Sequence, residues 1–315
     1  MIDQYGRNID YLRLSLTERC TLRCVYCRAD EGICPKAEEL SGADFLRIAR
    51  VCAKLGIKRI RLTGGEPLLR KDILEIVAGL GKIEELIDLS MTTNAQMLAE
   101  YAEGLKQAGL KRVNISLDSL REDRYRQITG GDLKNVIKGM SAAVRVGLSP
   151  IKINIVLIRG VNDDEIDDFI ALTRDNPIEV RLIELMPLGA AGQDESLQVN
   201  NDEVIAARPY LVPMAPRYSG QPSRDYHIEG YQGRVGFISP ISHRFCADCN
   251  RIRVMSDGML RPCLGNNAEI SLKNALEAGD DALLEVIRAA IFSKPMRHHF
   301  EEGFTPVKSM IKIGG

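Results

Sequence analysis

The chain has 315 residues, 45% of them hydrophobic, and its 42 Lys and Arg nearly cancel its 43 Asp and Glu to leave a formal charge of -1. That length suits one barrel with an extension or about two average domains, and the neutral balance provides no overall field for nucleic acid or an anionic membrane. The first residues hold no uninterrupted apolar segment for export and nowhere do 18 apolar residues run together, so a soluble cytoplasmic protein with no membrane or nucleic-acid partner is expected.

In chain order, β-like runs occur at YLRLSLT (11–17), KRIRLT (58–63), LIDLSMTT (86–93), RVNISLD (112–118), IKINIVLI (151–158) and EVRLIELM (179–186). Amphipathic stretches separate them. In SGADFLRIARVCAKLG, Phe45, Ile48, Ala49, Cys52 and Leu55 share one helical face, and Ser41 with Asp44 reads as a capping box. Six β/α repeats with short connections predict parallel strands. Within the strands, apolar and polar residues alternate: Leu12 and Leu14 against Arg13 and Ser15, Ile60 and Leu62 against Arg61 and Thr63, Ile153 and Ile155 against Lys152 and Asn154. If the apolar faces meet helices, the polar faces line a lumen. Arg13, Arg61 and Lys152 buried there without partners would be costly, so the lumen is expected to hold an anion. An exposed, solvated sheet face is the competing explanation.

The distinctive residues fall at the carboxyl ends of these strands, where β/α barrels place their ligands. Strand one is followed by TERCTLRCVYC, with Cys20, Cys24 and Cys27 among only eight cysteines. Three thiolates can hold a metal centre and leave a coordination position open, and an incomplete thiolate set suits an iron-sulfur cluster. Cys34 could add a fourth ligand, but its spacing is not that of a structural zinc site. Cys52 belongs to the helix core. A second triplet, Cys246, Cys249 and, after thirteen intervening residues, Cys263, brackets Asn250-Arg251-Ile252-Arg253. It fits either an auxiliary cluster or a zinc knuckle completed by His243 or His227.

The CxxxCxxC loop with Tyr26 before its last cysteine, followed by GGEP (Gly64 to Pro67), resembles the radical S-adenosylmethionine superfamily. Together with TTN (92–94), NISLDSL, KINIVL, RLIELMPLG, the second triplet with RIR, and Gly314-Gly315, it is similar over essentially the whole chain to the GTP 3',8-cyclase family. The resemblance implies an α/β fold: an incomplete (β/α)6 TIM-type barrel over 1–187, with a C-terminal region, 188–315, that carries a second cluster and closes the open side. It implies two 4Fe-4S clusters, on Cys20, Cys24 and Cys27 and on Cys246, Cys249 and Cys263. S-adenosylmethionine would meet Tyr26, Gly65, Ser116 and Met186. GTP would meet Arg13, Arg61, Thr92, Lys152, Arg181, Arg251 and Arg253, with Gly314 and Gly315 reaching the reaction centre. The implied reaction removes the 3' hydrogen of GTP and joins the ribose to guanine C8. An unidentified electron donor, a downstream cyclic pyranopterin monophosphate synthase and a homodimer are implied in the same way. Ala95 stands where that family commonly has glycine, a small expected change in the turn. A peptide maturase with an auxiliary cluster and a non-catalytic metal-binding module are the rival readings.

Overall fold

The structure is a computed structural model that describes residues 1–27, 38–300 and 304–314. Cys34 and Gly315 lie outside the described residues. All six expected runs form strands: β1 (Tyr11–Ser15), β2 (Arg59–Thr63), β3 (Asp88–Thr93), β4 (Arg112–Ser116), β5 (Lys152–Leu157) and β6 (Glu179–Glu184). They are joined through α1 (Gly42–Lys54), α2 (Ile73–Gly81), α3 (Leu98–Gln107), α4 (Glu122–Thr129), α5 (Leu133–Arg145) and α6 (Ile166–Ala171), and each strand pairs parallel with the next. The capping box of α1 forms: Ser41 Oγ accepts from the Asp44 N–H at 3.1 Å, and Asp44 accepts from the Ser41 N–H at 3.0 Å.

Beyond β6 the chain passes α7 (Ala190–Gln193), α8 (Asn201–Ala206), β7 (Val212–Pro213), β8 (Ser223–His227), β9 (Arg234–Ile238), β10 (Arg251–Val254), β11 (Met259–Arg261), β12 (Ile270–Ser271), α9 (Lys273–Ala278) and α10 (Asp280–Phe292). Strand β9 pairs parallel with β6, and β10 pairs parallel with β1. The sheet order is therefore β12-β11-β10-β1-β2-β3-β4-β5-β6-β9-β8-β7, an open barrel whose parallel centre is extended at both edges by the C-terminal half. RIRV, read from sequence as two arginines beside thiolates, is one of these strands.

Period-two alternation decides which face each residue takes. Leu12, Leu14, Ile60, Leu62, Met91, Val113, Ile115, Ile153 and Ile155 are fully buried beneath the helices with Phe45, Ile48, Val77 and Ala143. Each such side chain contributes about 1.5–3 kcal/mol by leaving water. The opposite face, carrying Arg13, Arg61, Ser90, Asn114, Lys152 and Arg181, turns inward, and the solvated-sheet explanation fails because most of these are buried as well.

Candidate active site

Strand register stacks the lumen side chains in tiers. Arg251, Tyr11, Arg59 and Asp88 form the tier nearest the strand N-termini. Arg253, Arg13, Arg61, Ser90 and Arg112 form the next. Above them lie Thr92, Asn114, Lys152 and Glu179, then Ser116, Asn154 and Arg181. A cavity of about 310 Å³ is lined by Cys20, Cys24, Cys27, Cys246, Cys249 and Cys263, and by Tyr26, Gly65, Ser116, Met186, Arg13, Arg61, Thr92, Arg181, Arg251 and Arg253. The structure thus brings both cysteine triplets to one space. Lys152 lines a second cavity of about 250 Å³ that shares Arg13, Arg61, Arg181 and Arg251 with the first.

Lys152 is not the unpartnered cation that alternation suggested. Its Nζ lies 2.7 Å from Glu179, which also binds Arg181 at 3.2 Å and both terminal nitrogens of Arg217. Burial alone would raise the Glu179 carboxyl, but Arg217, Arg181 and Lys152 together hold it far below its ordinary range. Burial and Arg181 push the Lys152 ammonium down to about 7 against the pull of Glu179. Arg13 and Arg61 differ. Among the described residues neither has a carboxylate partner, and the Nε of each is buried without a hydrogen bond. Burial, then Arg253 and Arg61, push the Arg13 guanidinium well below its usual value. Burial and Arg251 likewise bring Arg253 down to about 10. The case for an anion therefore rests on Arg13 and Arg61, with Arg251 and Arg253 beside them.

The first cysteine loop is tied down by backbone bonds. Arg23 and Val25 donate to the carbonyls of Thr129 and Ile128 at the end of α4, at 2.8 and 3.0 Å. Gly65 and Glu66 donate to the carbonyls of Thr17 and Arg19, both at 2.7 Å. A Cβ on Gly65 would lie 2.0 Å from the Arg19 carbonyl oxygen. The glycines that sequence assigned to close ligand approach thus first admit the backbone of the cysteine loop. Glu66 is wholly buried and accepts from Leu68 N–H, Thr93 Oγ1 and Asn94 N–H; burial pushes it to about 7 against those three donors. Asn94 in turn donates to Cys20 Sγ at 3.6 Å. Next to it Ala95 takes φ +61°, the left-handed region that glycine favours, so the departure from the family pattern is a point of backbone strain rather than a neutral change. Tyr26 donates to Asp118 at 2.7 Å. Burial, Asp118, Cys27 and Cys20 all raise the Cys24 thiol. Three thiolates crowded against a carboxyl call for positive charge, which suits an iron-sulfur cluster. The buried Asn154 Oδ1, unbonded beside Ser116, offers an acceptor for an ammonium group such as that of S-adenosylmethionine.

The second triplet is held by distant cations. Arg7 donates to the carbonyls of Cys246 at 3.0 Å, Met296 at 2.9 Å and Pro295 at 2.8 Å. Lys294, 2% exposed, donates to Arg251 O at 2.9 Å and Pro262 O at 2.6 Å. Burial alone would raise Cys249, but Lys294 and Arg251 outweigh it and bring the thiol to about 6. Neither His227 nor His243 completes a zinc knuckle: among the described residues no three Cys, His, Asp or Glu side chains converge tightly enough for a single metal ion. A four-iron cluster spreads its thiolates over separate irons and accommodates a wider set.

Residues 304–314 run back into the lumen. Ile313 is buried with Leu188, Met255 and Phe300, and Arg253 donates to the Gly314 carbonyl at 3.0 Å. Gly314 has φ +68°, and a Cβ there would lie 2.6 Å from that of Ser15. Alternation put Asn154 on the polar face without giving it a role, and sequence reasoning did not single out Glu66, Glu179 or Lys294 for the site. Glu66 could have been found inside GGEP; Glu179 and Lys294 carry no local signal.

The comparisons agree with this geometry. Residues 14–173 match the Radical SAM superfamily model and residues 178–300 match Molybdenum Cofactor Synthesis C. Among solved structures, Streptococcus suis SuiB superposes with a TM-score of 0.61 at 18% identity, covering 93% of this chain and 68% of that one. Native anSMEcpe with bound AdoMet gives 0.55 at 12% identity, covering 92% and 82%. Fold and cysteine loop define a radical S-adenosylmethionine enzyme, with a 4Fe-4S cluster and S-adenosylmethionine as its cofactors. Over the full length of both chains, the GTP 3',8-cyclases of Alkaliphilus oremlandii and Petrotoga mobilis are 48% and 44% identical to it. The chain belongs to the GTP 3',8-cyclase family.

Proposed function

We propose that the lumen between the two cysteine triplets is where this enzyme converts GTP to (8S)-3',8-cyclo-7,8-dihydroguanosine 5'-triphosphate, the first step of molybdenum cofactor biosynthesis. The observation that carries the placement is the pair Arg13 and Arg61, whose Nε atoms are buried without a hydrogen bond in the cavity that both triplets line, with no carboxylate partner. Cys20, Cys24 and Cys27 would hold the first 4Fe-4S cluster, and Cys246, Cys249 and Cys263 the second. When bound, the first cluster and S-adenosylmethionine supply a 5'-deoxyadenosyl radical; the protein orients substrate and excludes competing targets. Tyr26, Gly65, Ser116 and Met186 border the S-adenosylmethionine position, and Tyr26 is fixed there by Asp118. Arg13, Arg61, Thr92, Lys152, Arg181, Arg251 and Arg253 hold the nucleotide. Gly314, with Gly315 next to it in sequence, lies at the reacting end, where a side chain on Gly314 would collide with Ser15.

The same reading extends to the enzyme's setting. No helix among the described residues is long and apolar enough to cross a membrane, which supports a cytoplasmic location. Cluster chemistry requires an electron donor, unidentified here, and the cyclised nucleotide passes to a cyclic pyranopterin monophosphate synthase. The homodimer rests on the resemblance alone. The test is anaerobic reconstitution with iron and sulfide, followed by measurement of 5'-deoxyadenosine with GTP, with ATP and without nucleotide. Stimulation by GTP together with a cyclised guanine product is expected. Cleavage indifferent to GTP would reject this placement of the substrate.

A further inference from the structure

The tier closest to the strand N-termini holds a group with no function so far. Tyr11 opens β1 on the same face as Arg13 and Ser15, is 8% exposed, and lines the deeper cavity. Its hydroxyl is buried without a hydrogen bond. The neighbouring carboxylates serve other donors, Asp88 through both oxygens to Arg112 at 2.9 and 2.5 Å and Asp10 to Arg59 and Asn250, and neither accepts from the Tyr11 hydroxyl. Arg61 stacks on the Tyr11 ring, 5.5 Å from its centroid, and keeps its own Nε unbonded. The Tyr11 hydroxyl and the Nε of Arg13 and of Arg61 are therefore three buried donors without acceptors on residues that line one space.

We propose that the Tyr11 hydroxyl donates to the terminal phosphate of the substrate nucleotide, making the deep end of the lumen a reader of phosphate-chain length. Tyr11 lies four strand positions below Ser15, about 13 Å along β1, whereas Gly314 packs at Ser15. A nucleotide whose sugar reacts near the tail can reach Tyr11 only through an extended phosphate chain. The phenol is suited to the task. Burial raises it, but Arg61, Arg13 and Arg112 outweigh burial and bring it below its ordinary value, which strengthens it as a donor. Phosphate oxygens are acceptors only, so the pairing satisfies both sides.

This inference rests on the GTP reading, and the experiment separates the two. Tyr11→Phe keeps the ring beneath Arg61 and removes only the hydroxyl. Binding of GTP, GMP and inorganic tripolyphosphate to reconstituted wild type and variant is measured by calorimetry, with KM and kcat for GTP alongside. Wild type should bind GTP. The variant should bind GTP about tenfold more weakly, equivalent to about 1.4 kcal/mol, with unchanged GMP affinity and a raised KM at constant kcat. Tripolyphosphate that loses affinity equally in the variant would identify the phosphate chain alone as the ligand of Tyr11. Equal GTP affinity in the two proteins, or a GMP loss as large as the GTP loss, overturns the proposal. Wild type that binds no GTP removes the cyclase placement itself, a result visible before any variant is made.

Discussion

The two cysteine triplets present equal numbers of thiols in opposite surroundings. At the first, the charged neighbour is Asp118, and burial, Asp118, Cys27 and Cys20 together raise Cys24. The second has Lys294, Arg251 and Arg7 around it, and Cys249 is drawn down even though burial keeps Cys263 raised. The anchoring differs too. The first loop is stitched by backbone bonds to α4 and to the glycine turn after β2, whereas Arg7 and Lys294 reach the second from 239 residues before Cys246 and 32 residues after Pro262. Thiol spacing is therefore only half of a cluster site. The first triplet is shaped for a cofactor that brings its own positive charge. The second belongs to a basic surface continuous with Arg251 and Arg253, suited to meeting an anionic substrate.

The largest test of the comparison removes one thiol from each region. Cys24→Ser should abolish 5'-deoxyadenosine formation altogether. Cys263→Ser should retain it and lose the cyclised product, with about half of the bound iron remaining in either variant. If both substitutions ended S-adenosylmethionine cleavage equally in proteins of intact fold, the division of labour between the triplets would be wrong. Gly65→Ala comes next. The added methyl cannot coexist with the Arg19 carbonyl 2.0 Å away, so the backbone must shift at a cost of about 1–3 kcal/mol. The thermal midpoint should fall, and first-cluster iron should fall with it while second-cluster iron stays. A variant with wild-type stability and iron would show that the glycine turn does not hold the first loop.

Lys294→Met should act on the other side only. Its ammonium bonds the carbonyls of Arg251 and Pro262, and both bonds are lost with it. Outer-shell losses of this kind cost about 10- to 100-fold in metal retention. Electron paramagnetic resonance of the reduced protein should show the first cluster unchanged and the second depleted; depletion of both would mean that the two regions are not separately supported.

What could be read from sequence follows from how local each signal is. Alternation within YLRLSLT or KINIVL concerns neighbours two residues apart, so all six strands were legible, and with them the polar faces of the first five; EVRLIELM alternates less regularly. The triplets and GGEP were legible because ligand spacing is itself a short-range pattern. Nothing local in RVGFI or RIRV announces that they pair with β6 and β1, since pairing depends on partners far along the chain. Glu179 opens EVRLIELM with nothing local to name its partner, yet register sets it opposite Lys152 and beside Arg181, and this removes Lys152 from the unpartnered cations. Cations read as isolated in sequence had to be sorted by their three-dimensional partners, which left Arg13 and Arg61 as the uncompensated pair.

That sorting gives the smallest and most discriminating prediction. Lys152 lines the cavity that shares Arg13, Arg61, Arg181 and Arg251 with the space between the triplets, and its ammonium is pushed down to about 7 by burial and Arg181. Considered for folding alone, a cation depressed from 10.5 releases its proton in the native state first. Above about pH 7 the unfolded chain therefore holds more protons, and stability rises with pH toward 10.5. Nucleotide binding runs the other way. A phosphate chain favours the charged lysine, binding takes up a proton, and GTP affinity should fall as pH rises through 7. Between about pH 7 and 8.5 the loss should be about three- to tenfold, below the limit of tenfold per pH unit set by one titrating group. Lys152→Met should bind GTP more weakly at pH 6.5 and show a flatter profile, while ionisation of GTP itself is common to both proteins and cancels. Identical slopes would mean that Glu179 keeps Lys152 engaged throughout and that Arg13, Arg61 and the arginines beside the second triplet alone hold the anion, placing the nucleotide wholly within the basic region.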